Sequence, residues 1–496
     1  MQTALDYKLL CEQKDEQIAQ LKGELAAVNI ELDKLKKMIF GSKHERFVPV
    51  ENAAQLSLDI QTQAIAERVV TTEKVEIIRR STTITPNRKE HPGRMKLPEH
   101  LERRETIVEP AEDVTACKKI GDEITEELEY EPGKLYVNRI VRPKYAKPDN
   151  GGIVTAPMIE RPLPKAIAGP ALLANIVIEK YVDHLPLYRQ AERFKREGIQ
   201  IPYSTITDWV SATCALIAPL YEGLKNLVLQ SDYLHVDESP IKVLDKGKKG
   251  TTHRGYFWVY QNSVERLVLF DYREGRGSEW PEEMLKNFKG YLQTDGYSAY
   301  ETFKQYQDII VMNCMAHARR MFFDALENDP ARAEYALAQF GLLYDIERKA
   351  KNESLPSSQV RELRQAHAVP VLLSFEQWMK QEYVKVPPKS AVAKALGYSI
   401  GRWKELMVYT TDGKLNIDNN PVENSIRPVA IGRKNYLFAG SHEAAKRTAM
   451  LYSLLGTCKL HGVNPMVWLT DVLKRIASHP INKINELLPQ NWKPVI

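Results

Sequence analysis

Apolar residues near the start of the chain recur at alternating intervals of three and four. Ile18, Leu21, Leu25, Val28, Leu32, Leu35 and Ile39 form one stripe, with Glu, Lys and Gln between them. This is a coiled-coil seam, so residues 1–46 are expected to form a leucine-zipper-like helix that buries the stripe against a partner helix. A second copy of the chain is the expected partner, giving a homodimer or higher assembly; packing on its own chain is the alternative. Gly41 ends the helix. Residues 47–110 are then polar, with Ser, Thr, Pro, Arg and Lys concentrated from Arg80 to Arg94, the composition of a linker.

Strand-like patterning begins in residues 111–165, where Ile124 to Tyr130 and Leu135 to Val141 flank the turn Glu131-Pro132-Gly133-Lys134. The pattern over 166–225 is helical. Leu187, Ala191 and Phe194 line one face, Gly198 breaks it, and Ser204 is expected to cap a short helix carrying Ile206 and Trp209. That outline fits a helix-turn-helix that binds DNA, and fits equally a helical hairpin packed on the next domain. In residues 226–325 the expected strands are Tyr233 to Asp237, Gly255 to Tyr260, Arg266 to Phe270, Gly290 to Gly296 and Asp308 to Val311, with a helix over Ser278 to Phe288. Three strands, a helix, a strand, a helix and a strand match the order of an RNase H-like sheet, a mixed α/β fold. Residues 326–404 read as amphipathic helices inserted into that domain, 405–445 as its second part, and 446–496 as C-terminal helices with a break at Gly462 and Pro465.

Composition narrows the class. The chain has 496 residues, 43% hydrophobic and 27% charged, which suits a multidomain globular protein. Net charge is only +5, but residues 424–496 hold ten Lys/Arg against three Asp/Glu. A basic C-terminal region is what phosphate contact requires, and is also common on solvated helices. Five cysteines with no CxxC pair argue against a disulfide framework and for a reducing compartment. The longest uncharged apolar stretch, Ala166 to Ile178, is too short to span a bilayer, and the N-terminus lacks a signal-peptide core. A cytoplasmic, nucleoid-associated location without membrane contact is expected.

The candidate chemistry lies in three acids. Asp237 and Asp295 sit at or near the ends of neighbouring strands, and Glu423 lies in the first turn of a helix with Asn420 as the expected N-cap and Pro421 at its first position. On its own, Glu423 reads as a capping box reaching back to the Asn420 N–H. Three clustered carboxylates would repel and raise one another's pKa unless divalent cations sat between them, and Mg²⁺ or Mn²⁺ prefers such oxygen donors. The interval from Asp295 to Glu423 exceeds the roughly 30–40 residues that a helix, strand and helix need, and the helical insertion accounts for the excess. Basic residues gather around the acids. His317, Arg319 and Arg320 follow the fifth strand; Arg427 shares a helix face with Glu423, and Arg433 and Lys434 extend the patch. All six are candidate DNA contacts. His235 lies on the face of Asp237 and is expected to be packed or hydrogen-bonded.

At these residues the chain resembles the insertion sequence 66 family of bacterial DDE transposases. The likeness is most specific at His235-Val236-Asp237-Glu238, at Thr294-Asp295-Gly296-Tyr297 and along Ile417 to Ser441. It extends to Phe40-Gly41-Ser42-Lys43 after the zipper, to His91-Pro92-Gly93-Arg94 and to Val141-Arg142-Pro143-Lys144-Tyr145. The resemblance implies that Asp237, Asp295 and Glu423 are the DDE triad, holding two Mg²⁺ ions for cleavage of element ends and strand transfer, with accessory proteins encoded by the same element. The family pattern includes a four-cysteine zinc ribbon around residues 114–150. Here only Cys117 remains, with Lys147 and Asn150 where the second thiolate pair is expected. Structural zinc is therefore not expected, and residues 111–165 read as a degenerate ribbon-like β unit. Two other functions stay open: an RNase H-like nuclease without strand transfer, and a non-catalytic DNA-binding regulator.

Overall fold

The structure is a computed structural model that describes residues 97–115, 117–131, 133–148, 152–244 and 251–494. The expected coiled coil and most of the linker lie outside the described residues. The described chain is mixed α/β, with two sheets and many helices.

The smaller sheet holds β1 (Arg103–Ile107), β2 (Lys118–Glu131), β3 (Lys134–Ala146) and β4 (Ile153–Thr155). β2 and β3 form a long antiparallel hairpin, turned by Gly133 at φ 85°. Both strands outrun the lengths expected from the sequence. β1 pairs parallel with β3, and β4 pairs antiparallel with the end of the same strand. Leu128, Leu135 and Val137 are buried in one core with α1 (Pro170–Tyr181), the helix formed by the apolar stretch noted above. The N-cap of α1 is Gly169, which has no side chain to offer, and Glu129 accepts the Ala171 N–H instead. A Cβ at 169 would lie 1.6 Å from Glu129 Oε1, so a larger residue there would push the Glu129 side chain from its place at the α1 terminus.

Next come α2 (Leu187–Arg196), the Gly198 turn at φ 86° and α3 (Tyr203–Leu229). Two sequence expectations need correcting. Ser204 is not a cap; the N-cap is Pro202, which makes no side-chain bond. The helix is not short either. It runs 27 residues, through Pro219, because its apolar face is buried in the main core from Ile206 to Val228 and packing outweighs local breakers. The Tyr221 hydroxyl donates to the Phe270 carbonyl of the larger sheet, 2.9 Å away. This hairpin is a scaffold for the core.

The larger sheet holds β5 (Tyr233–Leu244), β6 (Thr252–Asn262), β7 (Leu267–Arg273), β8 (Gly290–Thr294) and β9 (Ile309–Asn313), in the order β7-β6-β5-β8-β9. The first three pair antiparallel; β8 and β9 join parallel to β5. A short α4 (Glu279–Met284) precedes β8. Asp237 was expected at a strand end, yet β5 continues through Pro240 to Leu244, so Asp237 lies mid-strand.

Helices follow: α5 (Met315–Asp324), α6 (Pro330–Asn352), α7 (Ser357–Leu363), α8 (Val369–Tyr383), α9 (Ala391–Gly401) and α10 (Trp403–Met407). They enclose a second core built on Phe322, Phe340, Phe375 and Trp403. The chain then returns as α11 (Asn420–Tyr436), α12 (His442–His461) and α13 (Pro465–Arg475). α12 covers the open edge of β7: Ser453 Oγ accepts the Phe270 N–H at 2.7 Å and Thr457 Oγ1 that of Val268 at 3.4 Å. Gly462, left-handed at φ 67°, ends α12, and Asn464 caps α13, as the sequence break suggested. No described helix is long and apolar enough to cross a membrane.

Candidate active site

The site is built where β5, β8 and α11 meet. β5 and β8 run parallel with His235 opposite Gln293. Asp237 lies two residues beyond His235 within β5, and Asp295 is the first residue after β8, two beyond Gln293. Asp295 opens a turn in which its Oδ1 accepts the Tyr297 N–H at 2.8 Å. Gly296 there has φ 85°, and a Cβ would come within 2.7 Å of Arg402 Nε. The helical block grips this turn from outside: the Tyr398 hydroxyl donates to the Asp295 carbonyl at 2.8 Å, and Arg402 donates to the Gly296 carbonyl at 3.1 Å.

The segment leading into α11 is stitched to the same strands. Gln293 donates to the Asn416 carbonyl and the Asn416 N–H to the Tyr233 hydroxyl. Asn419 spans the junction: Nδ2 donates to the Val236 carbonyl at 3.0 Å, Oδ1 accepts from His235 Nδ1 at 2.9 Å, and its N–H reaches Cys314 Sγ at 3.1 Å. Asn416 Nδ2 donates to the other His235 nitrogen at 3.0 Å. These two amides fix one neutral tautomer, with the proton on Nδ1. Burial agrees, pushing the His235 pKa down to about 4. His235 is thus a hydrogen-bonded core residue that holds the α11 entry against β5. The far end of α11 is tied to the same strand, with the Leu244 N–H donating to the Ala439 carbonyl.

The capping expectation for Glu423 is overturned. The N-cap position is Asn419, and the N–H of Asn420 is taken by Asp418 Oδ1 at 3.1 Å. Glu423 is therefore not needed as a cap. Its nearest ionic neighbour is His317 Nδ1, 3.8 Å away. With Cys314, these residues form a trio whose donor atoms lie within 4.8 Å of one another. Burial pushes the Cys314 thiol up to about 12, so it stays protonated near neutral pH and serves as acceptor for the Asn419 N–H.

Asp237 is the acid most perturbed by its neighbours. Burial, the adjacent Glu238, and then the charges of Asp295 and Glu423 hold its carboxyl well above the usual range, against one favourable bond from the Glu238 N–H. Neither aspartate has a Lys or Arg partner among the described residues. Glu238, which the sequence reading gave no role, is the contrasting case. Its side chain is 2% exposed and held by Arg276 and, at 2.7 Å, by the Tyr300 hydroxyl. Its position next to Asp237 is the only signal it gave. Among the described residues the donors close enough to share an ion are those of Cys314, His317 and Glu423, and carboxylate oxygens such as those of Asp237, Asp295 and Glu423 are the hard donors that Mg²⁺ or Mn²⁺ prefers.

The basic candidates divide. Arg319 and Arg320 are exposed on α5, beside Asn420 at the head of α11, and have no ion pair among the described residues. Arg427 is exposed one turn beyond Glu423. Arg433 is already engaged with the Pro240 carbonyl, and Lys434 lies beside it, both roughly 15 Å along the helix from Glu423. Cys117 is an uncrosslinked thiol at the start of β2.

Comparison with known proteins gives first the class, a transposase. Residues 165–447 match the model of the Transposase IS66 family, 453–490 that of the IS66 C-terminal element, and 29–106 that of the Transposase C of IS166 homeodomain. The chain belongs to the IS66 transposase family. Three similar proteins come from Sinorhizobium fredii and are named Uncharacterized protein y4jD, y4qI and y4hP. They are 31%, 31% and 29% identical, over 97%, 96% and 95% of this chain and 98%, 92% and 89% of their own lengths.

Proposed function

We propose that this transposase cleaves the DNA ends of its element and joins them to target DNA at a triad of Asp237, Asp295 and Glu423. The observation that carries the reading is that the charges of both Asp295 and Glu423 bear on the buried carboxyl of Asp237, while neither aspartate has a Lys or Arg partner among the described residues. The strand order, antiparallel on one side of β5 and parallel on the other, supports an RNase H-like core. Asp237, Asp295 and Glu423 would hold Mg²⁺ or Mn²⁺, which would supply charge neutralisation and Lewis-acid polarisation of a phosphodiester. The chain's own part is to fix the three carboxylates. Tyr398 and Arg402 clamp the Asp295 turn, and Asn416, Asn419 and His235 seat the Glu423 helix.

In this reading His317, Arg319, Arg320 and Arg427 would meet phosphate oxygens near the acids, with Arg433 and Lys434 farther along the duplex. The N-terminal stripe supports self-association as a homodimer or higher assembly, and accessory proteins of the same element would complete the machinery. The test is incubation of the purified chain with labelled element ends and Mg²⁺. Nicked ends joined to target DNA are expected, and full activity of Asp237→Asn would remove the assignment. Nicking without joining would leave a nuclease.

A further inference from the structure

Beside the acids lies a cleft of about 630 Å³ between α5 and α6. Arg319 and Arg320 line it from one side and Arg348 from the other, Phe323 stands in its wall, and Asn420 marks the end nearest Glu423. Arg319 and Arg320 have no ion pair among the described residues; Arg348, on the surface, pairs only with its neighbour Asp345. Phe323 is 56% exposed, unusual for a phenylalanine on a helix whose opposite face fills the core through Phe322.

The cleft floor is Gly341, in the middle of α6. A glycine there costs about 1 kcal/mol of helix stability relative to alanine. Packing does not require it, since an added Cβ would meet nothing within 4 Å. What the glycine does is leave the floor bare. The opening has the size of a small-ligand pocket, too small for the contact surface of a duplex. Cationic walls with an exposed aromatic ring are the combination that binds unpaired nucleotides, phosphates on the arginines and a base on the ring.

We infer that this cleft holds the single-stranded nucleotides adjoining the scissile phosphate when the end of the duplex opens. The inference rests on the DNA-cleaving reading above and adds a substrate form to it. The test uses the full-length chain without divalent metal. Fluorescence anisotropy compares a short duplex bearing an unpaired oligothymidine tail with the same duplex blunt. The tailed probe should bind about tenfold tighter. Gly341→Leu, which fills the floor while favouring the helix, should abolish that preference and leave blunt-end affinity and thermal midpoint unreduced. Arg348→Ala should shrink the preference without filling the cleft. Equal binding of both probes by the parent chain, or a preference that survives Gly341→Leu, overturns the inference. Equal binding with end cleavage intact would leave the proposed function standing, whereas a tail preference without Mg²⁺-dependent cleavage would remove that function alone.

Discussion

The smaller sheet and one spot on the larger sheet treat their acids in opposite ways, although Glu238 and Asp271 of the larger sheet are paired with Arg276 and Arg273. On the smaller sheet nearly every carboxylate has a cation: Glu126 with Arg103, Glu131 with Arg104, Glu105 with Arg139, Glu123 with Arg142 and Glu127 with Arg161. On the larger sheet Asp237 and Asp295 have none among the described residues, and Glu423 has only a histidine at 3.8 Å. Cross-strand ion pairs are the ordinary means of tolerating acids on a sheet. Their omission at Asp237 and Asp295 sets this spot apart from the balanced surface of the smaller sheet, and the proposed cation would supply the missing charge. Glu129 shows that a raised pKa alone does not make this distinction. Burial, and then the charge of Glu127, push it up to about 7, yet its role is to serve the α1 terminus.

The comparison can be broken at its strongest point by neutralising one unbalanced acid. Asp237→Asn should reduce end cleavage by roughly 10³-fold or more while folding is retained, because several kcal/mol of charge stabilisation would be lost. A gel assay of end cleavage, with circular dichroism as the folding control, reads both. The smaller sheet should respond in stability and not in chemistry. Arg161 and Glu127 are 5% and 8% exposed, and Arg161→Ala would leave a buried acid without its cation, holding only the Asn138 amide, and cost about 3–5 kcal/mol. A urea midpoint that barely moves would mean that the pairing on this sheet is not structural.

Glu129→Gln should give a smaller, pH-dependent gain. The folded carboxyl keeps its proton to about pH 7, whereas the unfolded one loses it near its ordinary value of 4.5. The stabilisation from protonation is therefore complete below the unfolded pKa and lost as pH rises through 7. The substitution should be neutral in acid and stabilise by about 2–3 kcal/mol at about pH 8. Denaturation across that range checks the sign; a gain confined to low pH would contradict it. The smallest effect belongs to Arg427. Arg427→Ala should weaken DNA binding severalfold and lower the salt slope by about 1, whatever the sequence bound.

The sequence revealed most of the larger sheet, because its strands are apolar runs separated by turn residues, and it picked out the acids by type and spacing. It misplaced what depends on distant partners. Asp237 is expected at or near a strand end, but β5 runs on past it, with Pro240 opposite Tyr256 and its carbonyl receiving Arg433. Asn420 was read as the cap because Pro421 follows it. The position belongs to Asn419, held by His235 and Val236 from 183–184 residues away. Local capping rules cannot register such contacts. The grip of Tyr398 and Arg402 on the Asp295 turn was likewise illegible, since it links residues more than 100 positions apart.

The central claim is that Asp237, Asp295 and Glu423 act as one cation-binding unit. Calorimetric titration of the purified chain with Mn²⁺, repeated for Asp237→Asn, Asp295→Asn and Glu423→Gln, tests it most directly. The account predicts saturable binding to the parent chain that is lost or weakened in all three variants. Undiminished Mn²⁺ binding by a folded Glu423→Gln protein would contradict it.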